Sequence, residues 1–171
     1  MMKHVRMRVK ASATVLAATA ALLVTAVPAH AGTFKVTSNC DVPWVSCSDE
    51  PELWEMYNSK ALSVSGGSYT TSWAEFWGDV YDYDGTSEYQ GSTLETYRYI
   101  FNSNGSGSAQ YVKNNAGSMQ NCSEVNNYRV YFNSDYGGHS QYIPHRDAYA
   151  DCVWYDLDST LKNNEASQHF A

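Results

Sequence analysis

Beyond position 31, the chain lacks long aliphatic runs and carries few basic side chains. Without an apolar run, that part of the chain offers no candidate for a membrane span. With so few Lys and Arg side chains it is poorly suited to bind nucleic acid, because phosphate contacts depend on basic side chains. No His pair has the HExxH spacing of a zinc peptidase, and no Cys pair has the CxxC spacing of a zinc site. These absences argue against an enzyme and favour a binding or structural protein.

The segment 1–31 has the pattern of a secretory signal peptide. The basic residues that open the chain are Lys3, Arg6, Arg8 and Lys10. An Ala-rich apolar stretch from Ala11 to Val27 follows, and Ala29-His30-Ala31 has the A-x-A form of a cleavage site. The alternative is a membrane anchor, but the apolar stretch barely reaches spanning length. We therefore expect cleavage after Ala31 and a secreted, extracellular protein.

The part of the chain that remains after cleavage is short and strongly acidic. It spans residues 32–171, a length that suits a single domain. Loss of the four basic residues changes the formal net charge from −7 to −11. Such a chain should prefer cationic partners, either metal ions or basic protein surfaces. We expect a monomer without a nucleic-acid or membrane partner.

Aromatic and cysteine residues predict the kind of fold. All 14 Tyr and all five Trp lie beyond position 31, and these residue types favour half-buried pleated surfaces. We therefore predict an all-β protein. The four cysteines are Cys40, Cys47, Cys122 and Cys152. An even number in a secreted domain predicts two disulfides, for which three pairings are possible. We favour Cys40–Cys47, a short local loop in an N-terminal arm (residues 32–52), together with Cys122–Cys152.

The chain contains an internal repeat. Lys113-Asn114-Asn115-Ala116-Gly117-Ser118 has a near copy, Lys162-Asn163-Asn164-Glu165-Ala166-Ser167, at an offset of 162 − 113 = 49 positions. Leu53–Tyr57 and Val130–Phe132, two strand-like segments, are each followed by Asn-Ser and later by a Gly pair. Repetition on this scale indicates two copies of one supersecondary unit.

The two units differ in length, so we predict an insertion in the first, within Ser72–Tyr97. Trp73, Phe76 and Trp77 follow a helical spacing there and predict a short helical turn that covers the sheet.

The stretch Tyr131-Phe132-Asn133-Ser134-Asp135-Tyr136-Gly137-Gly138 resembles the aromatic corner of the βγ-crystallin Greek key. The two Lys-Asn-Asn loops resemble that family's second signature, although Met119 and Gln168 stand where its closing Ser is expected. The resemblance implies a βγ-crystallin-like sandwich of two Greek keys. The first spans residues 53–118, with the insertion near 72–97, and the second spans residues 128–170.

Such loops bind calcium in the crystallin-like family. The resemblance implies a calcium site built from Asn114, Asn115, Ser118, Asn163, Asn164 and Ser167. Amide, hydroxyl and carbonyl oxygens are suitable calcium ligands. The alternative is that these side chains satisfy only the backbone of a β-arch. No cofactor is required, and calcium remains a possible ligand.

The secretion signal, paired cysteines and repeated motifs together also resemble a secreted actinobacterial peptidase-inhibitor family with a crystallin-like fold. This resemblance covers roughly Leu53–Phe170 and implies inhibition of thermolysin-like zinc metallopeptidases. Cys152-Val153 has the form of an inhibitory site, a bridged Cys followed by an apolar residue. The alternative is that Val153 opens a strand and packs in the core.

The sequence therefore predicts a secreted inhibitor of a metallopeptidase. A calcium-binding or structural extracellular module without inhibitory activity is the alternative. A third interpretation is a carbohydrate-binding module that uses Trp73, Trp77 or Tyr83.

Overall fold

The computed structural model describes residues 31–57, 64–65, 68–148 and 150–171. Residues 1–30 of the expected signal peptide, the turn Asn58-Ser59 and the pair Gly66-Gly67 lie outside these ranges. No helix within them is long and apolar enough to cross a membrane.

Strands dominate the described residues, together with a short 3-10 helix at Asn39–Asp41. The strands are β1 (Gly32–Val36), β2 (Leu53–Tyr57), β3 (Val64–Ser65), β4 (Ser68–Tyr69), β5 (Trp73–Phe76), β6 (Thr86–Gln90), β7 (Thr93–Tyr99), β8 (Ala116–Asn121), β9 (Tyr128–Asn133), β10 (Gly137–Ile143), β11 (Val153–Asp156) and β12 (Ser167–Phe170). The prediction of an all-β protein is confirmed.

The first sheet has four antiparallel strands in the order β5-β2-β8-β11. Strand β8 lies inside this sheet, and every one of its residues is buried. Neighbouring residues of a strand face opposite sides of the sheet, and both sides of β8 are buried. The small residues Gly117 and Ser118 fit such a position. β11, which belongs to the second repeat, forms one edge through four residue pairs with β8.

The second sheet has the order β10-β9-β12 and gains a fourth member from the first repeat. Val80 forms an antiparallel bridge with Gln168, with backbone N–H to carbonyl distances of 2.8 and 2.9 Å. Each repeat therefore gives one extended segment to the sheet of the other repeat. This reciprocal exchange is the topology of two crystallin-like Greek keys, and the predicted βγ-crystallin-like fold is confirmed.

The core lies between the two sheets and is built from large apolar side chains. Those without exposed surface include Leu53, Phe76, Phe101, Val112, Met119, Tyr128, Val130, Ile143 and Leu161. Burial of each such side chain stabilises the fold by about 1.5–3 kcal/mol before the entropy of ordering is subtracted. Both keys supply members of this core, so it holds the keys together as one unit.

A third sheet, β1-β7-β6, lies outside the two Greek keys. The hairpin β6–β7 begins at Thr86, after the exchanged segment around Val80, and β1 pairs in parallel with β7. The insertion predicted near 72–97 therefore starts later than expected. Trp73–Phe76 is strand β5 of the first key, so the predicted helical turn there is wrong. The spacing of three aromatic residues was outweighed by pairing with β2.

Burial of two aromatic residues also removes Trp73 and Tyr83 from the carbohydrate-binding interpretation, whereas Trp77 is half-buried and packs edge-on against Phe170. Trp73 is 7% exposed and Tyr83 is fully buried. Trp73 stacks on Trp54, with ring centroids 5.8 Å apart. Neither ring presents a face to a sugar, because each is enclosed by neighbouring groups of the protein.

The aromatic corner of the second key has the expected geometry. The rings of Tyr131 and Tyr136 lie 6.0 Å apart, and Gly138 has a φ of 79°. A Cβ atom at Gly138 would also come within 2.9 Å of the Asn133 side chain, so glycine is needed here for both conformation and space. The hydroxyl of Ser167 donates to the Asn133 carbonyl at 2.7 Å and accepts from the Tyr136 N–H at 3.1 Å. Ser167 therefore ties β12 to the folded hairpin.

Two equivalent serines should respond differently to substitution. Ser167→Ala leaves two backbone groups without this partner and should lower the free energy of unfolding by about 1–3 kcal/mol. Ser118→Ala is the matched control, because the Ser118 hydroxyl is buried without a hydrogen bond in the described part of the chain. It should be close to neutral. Urea unfolding measures both, and equal losses would contradict the role given to Ser167.

Candidate functional site

Two disulfides join the four cysteines in the favoured arrangement. Cys40 pairs with Cys47, with Cα atoms 5.7 Å apart, and Cys122 pairs with Cys152, with Cα atoms 4.3 Å apart. The first closes a loop of the N-terminal arm, and the second links the end of β8 to the start of β11. Disulfides of this kind are typical of proteins that fold in an oxidising, extracellular environment.

The segment between β10 and β11, here termed loop 144–152, is the best candidate for a protein-binding loop. Its described residues are mostly exposed. Arg146 fixes the middle of the loop to the body of the protein: Nε donates to the Cys122 carbonyl at 2.7 Å, and Nη2 pairs with Glu124 at 2.7 Å. Nη1 donates to the Ala150 carbonyl at 2.6 Å, which holds the loop against itself. The backbone N–H of Arg146 donates to the Ser123 carbonyl at 2.9 Å.

The predicted inhibitory pair, Cys152-Val153, lies where this loop enters β11. Cys152 is held by the disulfide, and Val153 pairs with Asn121 across the β11–β8 ladder. Both residues are half-buried. β11 forms an edge of the first sheet, so its outer side is open for approach. The role of Cys152-Val153 stays a prediction, and the structure places the pair at the junction of a pinned loop and an edge strand.

The two Lys-Asn-Asn loops meet at the junction between the two keys. The N–H of Asn114 donates to the Glu165 carbonyl at 2.9 Å, and the N–H of Asn163 donates to the Ala116 carbonyl at 2.8 Å. Asn114 and Asn163 have positive φ values of 64° and 57°, a backbone conformation that Asn tolerates better than most residues. These loops therefore join the keys through backbone hydrogen bonds.

The six residues predicted as calcium ligands occupy both exposed and buried positions, and their role stays a prediction. The Asn114, Asn163 and Asn164 residues are exposed, whereas Ser118 and Ser167 are buried. The Ser167 hydroxyl is already engaged by the aromatic corner. The side-chain nitrogen of Asn115 donates to the carbonyls of Tyr111 and Lys113, both at 3.1 Å. Calcium needs six to eight oxygens at one point, and the side chains of Asn115, Asn164 and Ser167 instead bond to backbone groups.

A buried carboxyl pair, Glu55 and Glu165, occupies the space between the keys. Both residues have no exposed surface. Glu165 Oε1 accepts the N–H groups of Asn115 and Ala116 at 2.9 and 2.8 Å, so the second key caps the loop of the first. Glu165 Oε2 has no hydrogen-bond partner in the described part of the chain, and the Glu55 carboxyl lies beside the Tyr83 hydroxyl.

Burial sets the protonation of this pair. Loss of water raises the pKa of Glu165 to about 8, against several backbone N–H groups that lower it. Burial, followed by the nearby charge of Glu165, raises the pKa of Glu55 well above its ordinary value. Two buried carboxylates are unfavourable together, so the pair holds protons at neutral pH. Two features of the sequence could have indicated this pair. Glu55 is a charged residue at an inward-facing strand position, and Glu165 stands in the second repeat where the first has Ala116.

Histidine and lysine contacts give no catalytic arrangement in the described residues. His139 Nε2 lies 2.6 Å from Asp158 Oδ2, and His169 Nε2 lies 2.6 Å from the Tyr131 hydroxyl oxygen. The Lys113 ammonium contacts the Ser134 hydroxyl and the Asp82 carboxylate, both at 2.8 Å. No cluster of three or more His, Cys, Asp or Glu side chains in these residues could hold a metal ion.

Comparisons with known proteins do not assign a family. No protein-family profile matches the sequence, and no curated protein matches it significantly. A solved structure described as "Evolution of the eye lens beta-gamma-crystallin domain fold" is similar over 74% of this chain and 92% of its own chain. The two share 13% identity with a TM-score of 0.40, values too low to support an argument. The fold assignment therefore rests on the strand exchange itself.

The buried carboxyl pair predicts a pH-dependent stability. Between pH 4.5, the ordinary pKa of glutamate, and about pH 8, the folded protein keeps a proton on Glu165 that the unfolded chain has released. Stability should therefore be highest at the acidic end of this window and fall as the pH rises, by about 1.4 kcal/mol per pH unit for each such proton. Glu165→Gln keeps the oxygen acceptor and removes the titration, so its profile should be flatter than that of the wild type.

Urea unfolding at a series of pH values tests this prediction. Glu88→Gln, at an exposed position on β6, is the matched control and should leave the profile unchanged. Parallel profiles for the wild type and Glu165→Gln across the window would show that Glu165 does not titrate as described.

The loop geometry predicts that calcium does not stabilise this protein. A ligand that binds only the folded state raises the melting temperature. Thermal melts in millimolar calcium and in chelator should therefore give the same midpoint. A clear rise with calcium would show that the Lys-Asn-Asn loops rearrange into a binding site.

Proposed function

We propose that this protein is a secreted peptidase-inhibitor-like protein that presents loop 144–152 and Cys152-Val153 to the active-site cleft of a zinc metallopeptidase. The observation that carries the proposal is the anchoring of this exposed loop by the Cys122–Cys152 disulfide and by Arg146. The resemblance of the sequence to a metalloproteinase-inhibitor family gives the class of target.

Anchoring matters because binding orders the groups at an interface. A flexible loop loses conformational entropy when it enters a cleft, whereas a loop fixed beforehand avoids most of that cost. Arg146 is an efficient anchor, since its planar guanidinium satisfies two backbone carbonyls and one carboxylate at once. A rigid, exposed loop is what a substrate-like inhibitor requires.

The surroundings of Cys152-Val153 also explain how the protein would resist cleavage. If a peptidase cut the bond between these residues, Cys152 would stay attached through Cys122, and Val153 would stay in the β11–β8 ladder. Neither new chain end could leave the cleft, so rejoining of the bond would compete with release. The inhibitor would act by occupying the active site, without chemistry of its own.

The alternative is an extracellular structural module without inhibitory activity. The place of Val153 favours it, because a half-buried residue paired in a ladder is less accessible than one at a loop tip. The two functions differ in whether a metallopeptidase is inhibited and whether loop 144–152 matters.

Inhibition of thermolysin, and of secreted metallopeptidases from the producing organism, tests the proposal. The mature protein should inhibit at least one of them at stoichiometric concentration. Arg146→Ala frees the loop and should raise the inhibition constant about tenfold or more, since one lost charged hydrogen bond corresponds to roughly 1.5–3 kcal/mol.

Arg129→Ala is the matched control. Arg129 lies on β9, where it donates to Ser140 at 3.2 Å and lies over the ring of Tyr142, both residues of β10 outside loop 144–152. It should leave inhibition unchanged. No inhibition by the wild type at micromolar excess would reject the proposal for those enzymes, and equal effects of the two variants would reject the role of the loop.

A further inference from the structure

A cavity of about 200 Å³ lies where the N-terminal arm, the exchanged segment of the first key and the β6–β7 hairpin meet. Its walls include Trp44, Val45, Asp79, Tyr81, Asp82 and Tyr99. None of these residues belongs to loop 144–152, so the cavity is separate from the proposed inhibitory surface. It exists because the third sheet is added beside the two Greek keys.

The charged groups in the wall of this cavity are all acidic. Asp79 and Asp82 belong to the wall, and no Lys or Arg of the described residues does. Lys113 neutralises Asp82 from outside, at 2.8 Å. Asp79 is held differently: its Oδ1 accepts the backbone N–H of Phe170 at 2.9 Å, which fixes the carboxylate in place without cancelling its charge. Asp79 is therefore the anionic centre of the cavity.

Carboxylates close to this cavity also raise the pKa values of two tyrosines. A hydrogen bond to Asp135, then partial burial and the charges of Asp135 and Asp82, raise the pKa of the Tyr81 hydroxyl. Burial, followed by the charges of Asp79 and Asp135, raises the pKa of Tyr136. A cation that approaches this surface is attracted by several carboxylates at once.

Aromatic rings on two sides give the cavity its shape. Trp44 is half-buried and packs edge-on against Tyr97, with centroids 5.1 Å apart. Tyr81 is 57% exposed and packs edge-on against Tyr136 at 5.8 Å. Both rings are therefore supported by a neighbouring ring.

We propose that this cavity binds a cationic side chain, the guanidinium of Arg or the ammonium of Lys, presented by a partner protein. A cation gains attraction from aromatic rings as well as from a carboxylate. A metal ion fits less well, because the described residues of the wall supply two carboxylates and one of them is already paired. A neutral sugar would gain nothing from the charge of Asp79.

Titration with N-acetylarginine methylamide, followed by NMR of the tryptophan indole groups, tests the proposal. The Trp44 signal is assigned with Trp44→Phe. This signal should shift as the compound binds, and the shifts should fit a dissociation constant of about 1 mM, which corresponds to a binding free energy of about 4 kcal/mol. The citrulline analogue has nearly the same shape without the charge and should cause no saturable shift.

Two pairs of variants locate the site. Asp79→Asn keeps the acceptor for Phe170 and should weaken binding at least about threefold, whereas Asp156→Asn, an equal charge change at an exposed position on β11, should not. Tyr81→Ala should weaken binding by a similar factor, and Tyr81→Phe, which keeps the ring, should not.

Three results would each overturn the proposal. They are the absence of saturable shifts with the arginine compound up to roughly 50 mM, which exceeds the expected dissociation constant many times; equal binding of the citrulline compound; and equal effects of Asp79→Asn and Asp156→Asn. Binding of cellobiose without binding of the arginine compound would assign the cavity to neutral sugars instead.

Discussion

The exchange of one extended segment between the two Greek keys is the constraint on which the rest of the structure depends. β11 completes the sheet of the first key, and Val80 extends the sheet of the second. The shared core, the meeting of the Lys-Asn-Asn loops and the position of loop 144–152 all follow from this arrangement. The Cys122–Cys152 disulfide reinforces it, because it links the end of β8 to the strand that the second key contributes.

The two keys are alike in topology and unlike in chemistry at their junction. The Glu165 side chain of the second key accepts hydrogen bonds from the backbone of the first. Ala116, its counterpart in the first key, contacts the second key only through its backbone carbonyl, which accepts from Asn163. Glu55 has no acidic counterpart on β9, where Val130 faces the core. The junction therefore combines a carboxyl pair with an apolar core. Such a pair is tolerated in the interior when it is protonated, because a neutral carboxyl costs far less to bury than a charged one.

The general fold could be predicted from the sequence, because its signals are local. The Tyr131–Gly138 stretch encodes a corner that Gly138 and Ser167 complete, and the Lys-Asn-Asn repeat marks the two loops that meet between the keys. The position of the insertion could not be predicted in this way. The spacing of Trp73, Phe76 and Trp77 fits a helical turn as well as a strand, and only pairing with β2 decides between them.

Candidate sites depended on contacts between distant residues, and the sequence contained little of that information. Arg146 looks like an ordinary loop residue until Cys122 and Glu124 are brought beside it. The cavity beside Trp44 needs three segments that lie far apart in the chain. The predicted calcium ligands share a motif, but the motif does not show that Ser167 is engaged by a hairpin much earlier in the chain.

Strand exchange also determines when this protein is able to fold. The bridge between Val80 and Gln168 joins residues that are 168 − 80 = 88 positions apart. The first sheet also lacks its edge strand β11 until residues 153–156 have been synthesised. A ribosome must therefore deliver almost the whole chain before either sheet can close, and structures dominated by such distant pairings form slowly. A chain that stays open until its last strands emerge suits passage through a narrow export channel. The topology that makes the finished domain a single unit is thus compatible with the secretion that the segment 1–31 predicts.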